Sequence, residues 1–297
     1  MTPSYTTYAT RLGQELEDVR VGFLALLDCS TIINVDPNRR GSGIIFIGAA
    51  KWGWAPSDGA LTVARMDLLD QYQRWYERYR LLFRTPTPDV RKKLERSDKF
   101  VRDWLDRPGR DHSIPSSIEV AKKLALKHLL VFEEHLMLMA SRGDGRYRLV
   151  PDTNALIDNP DLESYAAAVG VDHAVIHLLP SVLGELDDLK ASARTPDLRE
   201  SVRSAIRRIK GLRDRGRLTD GVTVAGRITA RAETVEVDPS TVLGWLDPTV
   251  MDDRIIGASL RLQSDYPADS VILITSDLNL QNKSEAAGLP YVEPRSR

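Results

Sequence analysis

The chain has 297 residues, a length that suggests two domains of ordinary size. Its 41 Lys and Arg nearly balance 42 Asp and Glu, and 42% hydrophobic with 28% charged residues is globular composition. This excludes a uniformly basic, histone-like binder and an acidic disordered chain, while the single cysteine, Cys29, excludes a disulfide framework or a cysteine-rich zinc site.

In chain order, Met1 to Asp18 shows no basic region leading into an apolar run, so no secretory signal is expected. A helix is expected from Tyr8 to Leu27, with Cys29 after it as a small buried residue. The glycines and prolines between Asn34 and Gly59 suggest a loop around a short apolar run, Ile44 to Ile47. Over residues 66–83, Leu68, Tyr72, Trp75, Tyr76, Tyr79 and Phe83 recur at three- and four-residue spacing, the core face of an amphipathic helix. Thr85-Pro86-Thr87-Pro88 stops it, Asp89 opens another helix running to Leu105, and Ser116 or Ser117 caps a long one from Ile118 to Ala140. His128 and His135 are read as packing or surface residues. Trp52 and Trp54, beside Lys51, are weak candidates for stacking on bases. The polar hinge Ser141-Arg142-Gly143-Asp144-Gly145 marks a boundary between a mostly helical domain, 1–145, and a second domain, 146–297.

Beyond the hinge, short apolar runs (Leu149–Val150, Ala174–Leu179, Val271–Thr275) alternate with helical stretches near Leu162–Val169, Leu183–Lys190, Leu198–Arg213, Asp253–Leu262 and Leu280–Ala287. This alternation predicts an α/β fold with a parallel central sheet between helices, which binds its ligands at the carboxyl ends of its strands. Thr219 to Asp238 suggests one or two further strands, from Val222-Thr223-Val224 and Thr234-Val235-Glu236-Val237. His173 and His177 flank a strand and are expected to be buried there. The most apolar window, Ala166 to Gly184, is broken by Asp172, His173, His177 and Pro180, which speaks against a membrane span. A cytoplasmic protein without a membrane partner is the expectation.

Four segments put acids at or near strand ends: Pro151-Asp152-Thr153-Asn154, the helix start carrying Glu185, Asp252-Asp253-Arg254-Ile255-Ile256, and Thr275-Ser276-Asp277. One such acid is ordinarily a helix cap. Four at one topological position repel one another unless cations are present. Oxygen ligands without a His or Cys cluster favour Mg²⁺ or Mn²⁺ over zinc, and such ions activate water and stabilise an in-line phosphoryl displacement.

On these four segments, residues from about 148 to 293 resemble the PIN-domain nucleases, metal-dependent enzymes that cut single-stranded RNA. The resemblance implies a metal site of Asp152, Glu185, Asp253 and Asp277. Asp152 and Asp253 would hold the main metal, Glu185 would hold it too or orient the attacking water, and Asp277 would complete the site directly or through water. Asp253 is favoured over Asp252, which caps the helix or assists. Asn154, Thr275 and Ser276 offer neutral groups to orient the acids, and Asn279 is expected to cap the last helix. Cleavage leaving a 5′-phosphate and a 3′-hydroxyl follows from the same resemblance. The nucleases of toxin–antitoxin pairs resemble this half but are shorter, which leaves a toxin role, a protein inhibitor and homo-oligomerisation open. No family is recognised in residues 1–145.

The charges are unevenly placed. Residues 1–145 carry a net +3 and 146–297 a net −4, yet Lys190 to Arg217 alone holds ten basic residues against three acids. Arg199, Arg203 and Arg207, with Lys210 beyond them, recur on one helix face, a stripe suited to single-stranded or structured RNA or else simply a solvated face. A catalytically inert PIN-fold module binding RNA or protein is the alternative function. A phosphatase is disfavoured, because the strand ends carry neither a glycine-rich phosphate loop nor an Asp-x-Asp nucleophile.

Overall fold

The computed structural model describes residues 5–40, 47, 50–109, 111–140 and 145–294. The chain divides into two units, Ala9–Met139, and Met1–Tyr8 together with Ala140–Arg297. Residues 141–144 of the hinge, and Ile44 to Phe46 of the short apolar run, lie outside the described residues, while Ile47 is exposed.

The first unit is helical: α1 (Tyr8–Asp28), α2 (Gly59–Arg80), α3 (Pro88–Asp106) and α4 (Ile118–Ala140), with a small hairpin of β1 (Ile32–Asn34) and β2 (Trp52–Trp54). Asp58 starts α2 earlier than its aromatic periodicity suggests, accepting a hydrogen bond from Leu61 N at 2.7 Å. The aromatic face of α2 is core. Tyr72, Trp75 and Tyr79 are buried, Trp75 stacks on Tyr79 at 4.8 Å, and Phe132 of α4 meets Trp75 edge-on at 5.4 Å. Trp75 Nε1 donates to Leu12 O at 2.8 Å, so its polar edge is satisfied inside the helical bundle.

Three expectations change here. Trp52 to Trp54 form a strand rather than part of a loop, because Val35 N and Ala55 N close backbone hydrogen bonds to Lys51 O and Thr31 O at its two ends. Trp54 is then no open platform for bases: Trp104 meets it edge-on at 5.4 Å and the Arg107 guanidinium lies 4.2 Å over its ring. Cys29 is exposed, not buried. The inward position falls to Ser30, whose hydroxyl donates to Leu26 O at 2.7 Å. His128 packs as expected, stacked on Phe100 at 4.0 Å and hydrogen-bonded to Ser97 Oγ.

The second unit is a six-stranded sheet with helices. Its elements are β3 (Tyr147–Pro151), α5 (Thr153–Asp158), α6 (Glu163–Val169), β4 (His173–Leu178), α7 (Pro180–Ser192), α8 (Pro196–Arg213), β5 (Val222–Ala225), β6 (Arg227–Ala232), α9 (Met251–Asp265), β7 (Ser270–Ile274), α10 (Leu278–Ala287) and β8 (Tyr291–Val292). The strand order is β5-β6-β4-β3-β7-β8, parallel throughout except for the β5–β6 hairpin. β7 is buried at every position, as its unbroken apolar run requires between neighbours on both sides. Thr234 to Val237 do not form a strand. The second strand of this region lies earlier, at Arg227–Ala232, where Ile228 and Ala230 alternate inward, whereas Val235 is exposed.

One charged network is built into the sheet. Arg148 Nε donates to Asp269 Oδ2 at 2.7 Å, and its NH1 lies 3.1 Å from His177 Nε2. His177 Nδ1 in turn lies 2.7 Å from Glu233 Oε1. Arginine is always a donor, so the proton of His177 sits on Nδ1 and the ring is neutral. Burial, and after it the charge of Arg148, pushes its pKa down against the upward pull of the Glu233 carboxylate. Among the described residues, no helix is long and apolar enough to cross a membrane.

Candidate active site

The carboxyl ends of β3 and β7 lie side by side, with Asp152 N donating to Ile274 O at 3.1 Å. Each strand leads into a helix whose first residues are acid-capped. Asp152 caps α5, its Oδ1 accepting from Ala155 N at 2.6 Å. Asp277 caps α10, accepting from Asn279 N at 2.8 Å and Leu280 N at 3.0 Å. The cap expected from Asn279 is thus supplied by Asp277, and the Asn279 amide donates instead to Asp252 Oδ2 at 2.6 Å.

Thr275 joins the two strand ends. Its hydroxyl donates to Asp152 Oδ2 at 2.5 Å and accepts from Asp277 N at 3.0 Å. Both Asp152 oxygens are therefore held, in a group only 3% exposed. Burial still raises its pKa to about 6, and the charges of Asp277 and Glu185 push in the same direction. Asp277 and Glu185 thus both act on Asp152 electrostatically. Glu185, half-buried on α7, is fixed by Thr153, whose hydroxyl donates to Glu185 Oε2 at 2.5 Å. Thr153 is a positioning residue within the Pro151-Asp152-Thr153-Asn154 segment, and nothing in that segment's pattern indicates its bond to Glu185.

The paired acids open α9, where the helix dipole favours negative charge. Asp253 is buried and accepts from Asp247 N at 2.9 Å through Oδ2, whereas Asp252 is half-buried and turned toward α10. The ammonium of Lys283, on α10, lies 2.7 Å from Asp253 Oδ1 and 3.5 Å from Asp252 Oδ2. Asp253 Oδ1 is buried and, among the described residues, accepts no aligned hydrogen bond, so its contact with Lys283 is an ion pair. Lys283 is equally invisible to sequence reasoning, because its two partners lie far upstream on another helix and no local pattern links them.

Not every expected residue joins the constellation. Asn154 and Ser276 are exposed, and neither hydrogen-bonds to the acids among the described residues. The basic stripe is exposed on α8: Arg199, Arg203, Arg207 and Lys210 face outward while Val202, Ala205, Ile209 and Leu212 are buried. Arg199 donates to Ala193 O at 2.9 Å and Arg207 pairs with Glu200 at 3.5 Å, whereas Arg203 and Lys210 have no ion-pair partner among the described residues. α8 packs on α5, which Asp152 caps, and on α7, which carries Glu185.

Chemically, the donors are carboxylates alone, a set suited to a hard divalent cation. A buried acid whose pKa two further carboxylates help to raise, and a buried Asp253 oxygen paired with a cation, fit such an ion. Among the described residues, however, no three His, Cys, Asp or Glu groups stand close enough together to form a ready-made metal shell. No curated protein matches the chain. Residues 149–295 match the family model of the PIN domain, a span that contains all five acids and most of the six-stranded sheet. The C-terminal half of this chain is therefore a PIN domain, a family whose members are generally nucleases that use divalent metal ions.

Proposed function

We propose that this protein is a Mg²⁺- or Mn²⁺-dependent endoribonuclease that hydrolyses phosphodiester bonds of single-stranded RNA in the cytoplasm. The observation that carries the reading is the buried carboxylate of Asp152, its pKa raised to about 6, under the field of Asp277 and Glu185 at the paired ends of two central strands.

Asp152 and Asp253 would hold the ion, with Glu185 and Asp277 completing its surroundings. When bound, the ion supplies Lewis-acid stabilisation of the phosphoryl oxygens and lowers the pKa of water. The chain's own groups do the rest. Thr275 holds Asp152 and Asp277 in a common frame through one hydroxyl, and Thr153 fixes the Glu185 carboxylate, which would hold the ion too or orient the attacking water. The exposed face of α8, with Arg203 and Lys210 free of ion pairs among the described residues, supplies positive charge along which the RNA backbone runs. A toxin role, restrained by a protein inhibitor or by assembly with itself, is one physiological form that this reading leaves open.

The test uses purified full-length protein, Mn²⁺ and a single-stranded RNA. Asp152→Asn and Asp253→Asn are each expected to lower cleavage by about 100-fold or more, since a positioned acid of a metal site is worth at least that. The products should carry 5′-phosphate and 3′-hydroxyl ends. Unchanged cleavage by both variants would sink the proposal. The second reading, an inert PIN-fold module binding RNA or protein, is favoured by the Lys283 ion pairs and the lack of three convergent ligands among the described residues. RNA binding without Mn²⁺ uptake or cleavage by the unaltered protein would establish it instead.

A further inference from the structure

Acids brought together at the end of a sheet need a counter-charge even before a metal arrives. Here α9 and α10 supply one from within the chain. Asp252 and Asp253 are adjacent on α9, and one ammonium, Lys283, reaches both, at 3.5 and 2.7 Å. The surrounding hydrogen bonds leave room for it. The Asn279 amide, one turn earlier on α10, holds Asp252 Oδ2, and Asp247 N holds the other oxygen of Asp253. The oxygen left to Lys283, Asp253 Oδ1, is buried and accepts no hydrogen bond among the described residues. A cationic group thus already stands where a ligand oxygen is needed.

From this geometry we infer that Lys283 is a resident counter-ion of the acidic site, which holds Asp253 while the site is empty and must leave Asp253 Oδ1 when a divalent ion enters. Lys283 is then a positioning residue that sets metal affinity and confers stability on the metal-free protein. The inference rests on the nuclease reading for the identity of the ion. One of the acids assigned to the site is thereby tied to α10.

The test is metal binding, not turnover. Mn²⁺ affinity of the full-length protein, measured by calorimetry or by the paramagnetic resonance of free Mn²⁺, is compared with that of Lys283→Met. Loss of the competing ammonium is expected to tighten Mn²⁺ binding about tenfold. It should also lower the melting temperature of the metal-free variant, with Mn²⁺ restoring more of it than in the unaltered protein. An equal or weaker affinity in a cooperatively melting Lys283→Met protein overturns the inference but leaves the metal reading standing. No Mn²⁺ binding by either protein overturns both. If Lys283→Met does not fold, the unaltered protein gives the answer. Titration with diamagnetic Mg²⁺, followed at the Lys283 side chain by NMR, is expected to shift its Cε signal as the ion pair opens, and an unmoved Lys283 signal at saturating Mg²⁺ rejects it.

Discussion

At the residue scale, Asp152 is stabilised in place and destabilised in charge. Two short hydrogen bonds from Ala155 N and Thr275 hold it, yet burial and the neighbouring acids raise its pKa from 3.8 to about 6. A carboxyl whose pKa is raised on folding binds its proton more tightly in the folded state. Its contribution to stability is therefore present at low pH and is lost as pH rises from about 4 through about 6. Asp152→Asn is expected to make the metal-free protein more stable at about pH 7.5, on the order of 1–3 kcal/mol, with the gain shrinking toward about pH 4. Urea unfolding at the two pH values measures this, and a variant no more stable than the parent at the higher pH would contradict it. Saturating Mn²⁺ should reverse the order of stabilities, because the ion engages the carboxylate and not the amide.

At the scale of elements, the site depends on how closely α9 approaches the segment before it. A side-chain Cβ at Gly257 would lie 2.6 Å from Pro239 Cβ and 2.8 Å from its Cα, so this position accepts only glycine without movement. Gly257→Ala is expected to cost about 1–3 kcal/mol and to displace the helix start that carries Asp253. Thermal unfolding would show the loss, and Mn²⁺ affinity would fall with it; an alanine variant with parental stability would mean that α9 slides freely. α8 offers an independent prediction. Arg203→Glu with Lys210→Glu should weaken RNA binding and reduce its salt dependence by roughly 0.7 per lost phosphate contact in the logarithmic slope. An unaltered slope in filter binding would leave the stripe a solvated face. The stripe itself was legible in the Arg199, Arg203 and Arg207 spacing, because a helix converts a four-residue period into one face regardless of what it packs on.

On the scale of the whole molecule, each unit closes its own core. Among the described residues, the strands β3 to β8 pair with one another alone, and the helical unit buries Tyr72, Trp75, Tyr79 and Phe132 among its own rings. Residues 140–297 expressed alone are expected to unfold as one cooperative transition. They should be less stable by about 1 kcal/mol for loss of the Tyr5 carbonyl that accepts from Ser270 Oγ at 3.0 Å. Circular dichroism melts of that fragment check this, and a non-cooperative melt would contradict it. The amino-acid sequence by itself determined the alternation of strand and helix, the acids at strand ends and the aromatic core face of α2, because each is a local period or a local cap. It left Thr234 to Val237 looking like a strand and Cys29 looking buried, since alternation and apolar neighbours do not say which partner is present. Only the tertiary structure decided that Thr275 bridges Asp152 and Asp277, that Thr153 holds Glu185, and that Lys283 sits on Asp252 and Asp253. The bond from Thr275 to Asp152 spans 123 positions and that from Thr153 to Glu185 spans 32, and the first rests on a sheet register that brings β3 beside β7. Such contacts leave no period in the chain, and they come into being only when the sheet has formed.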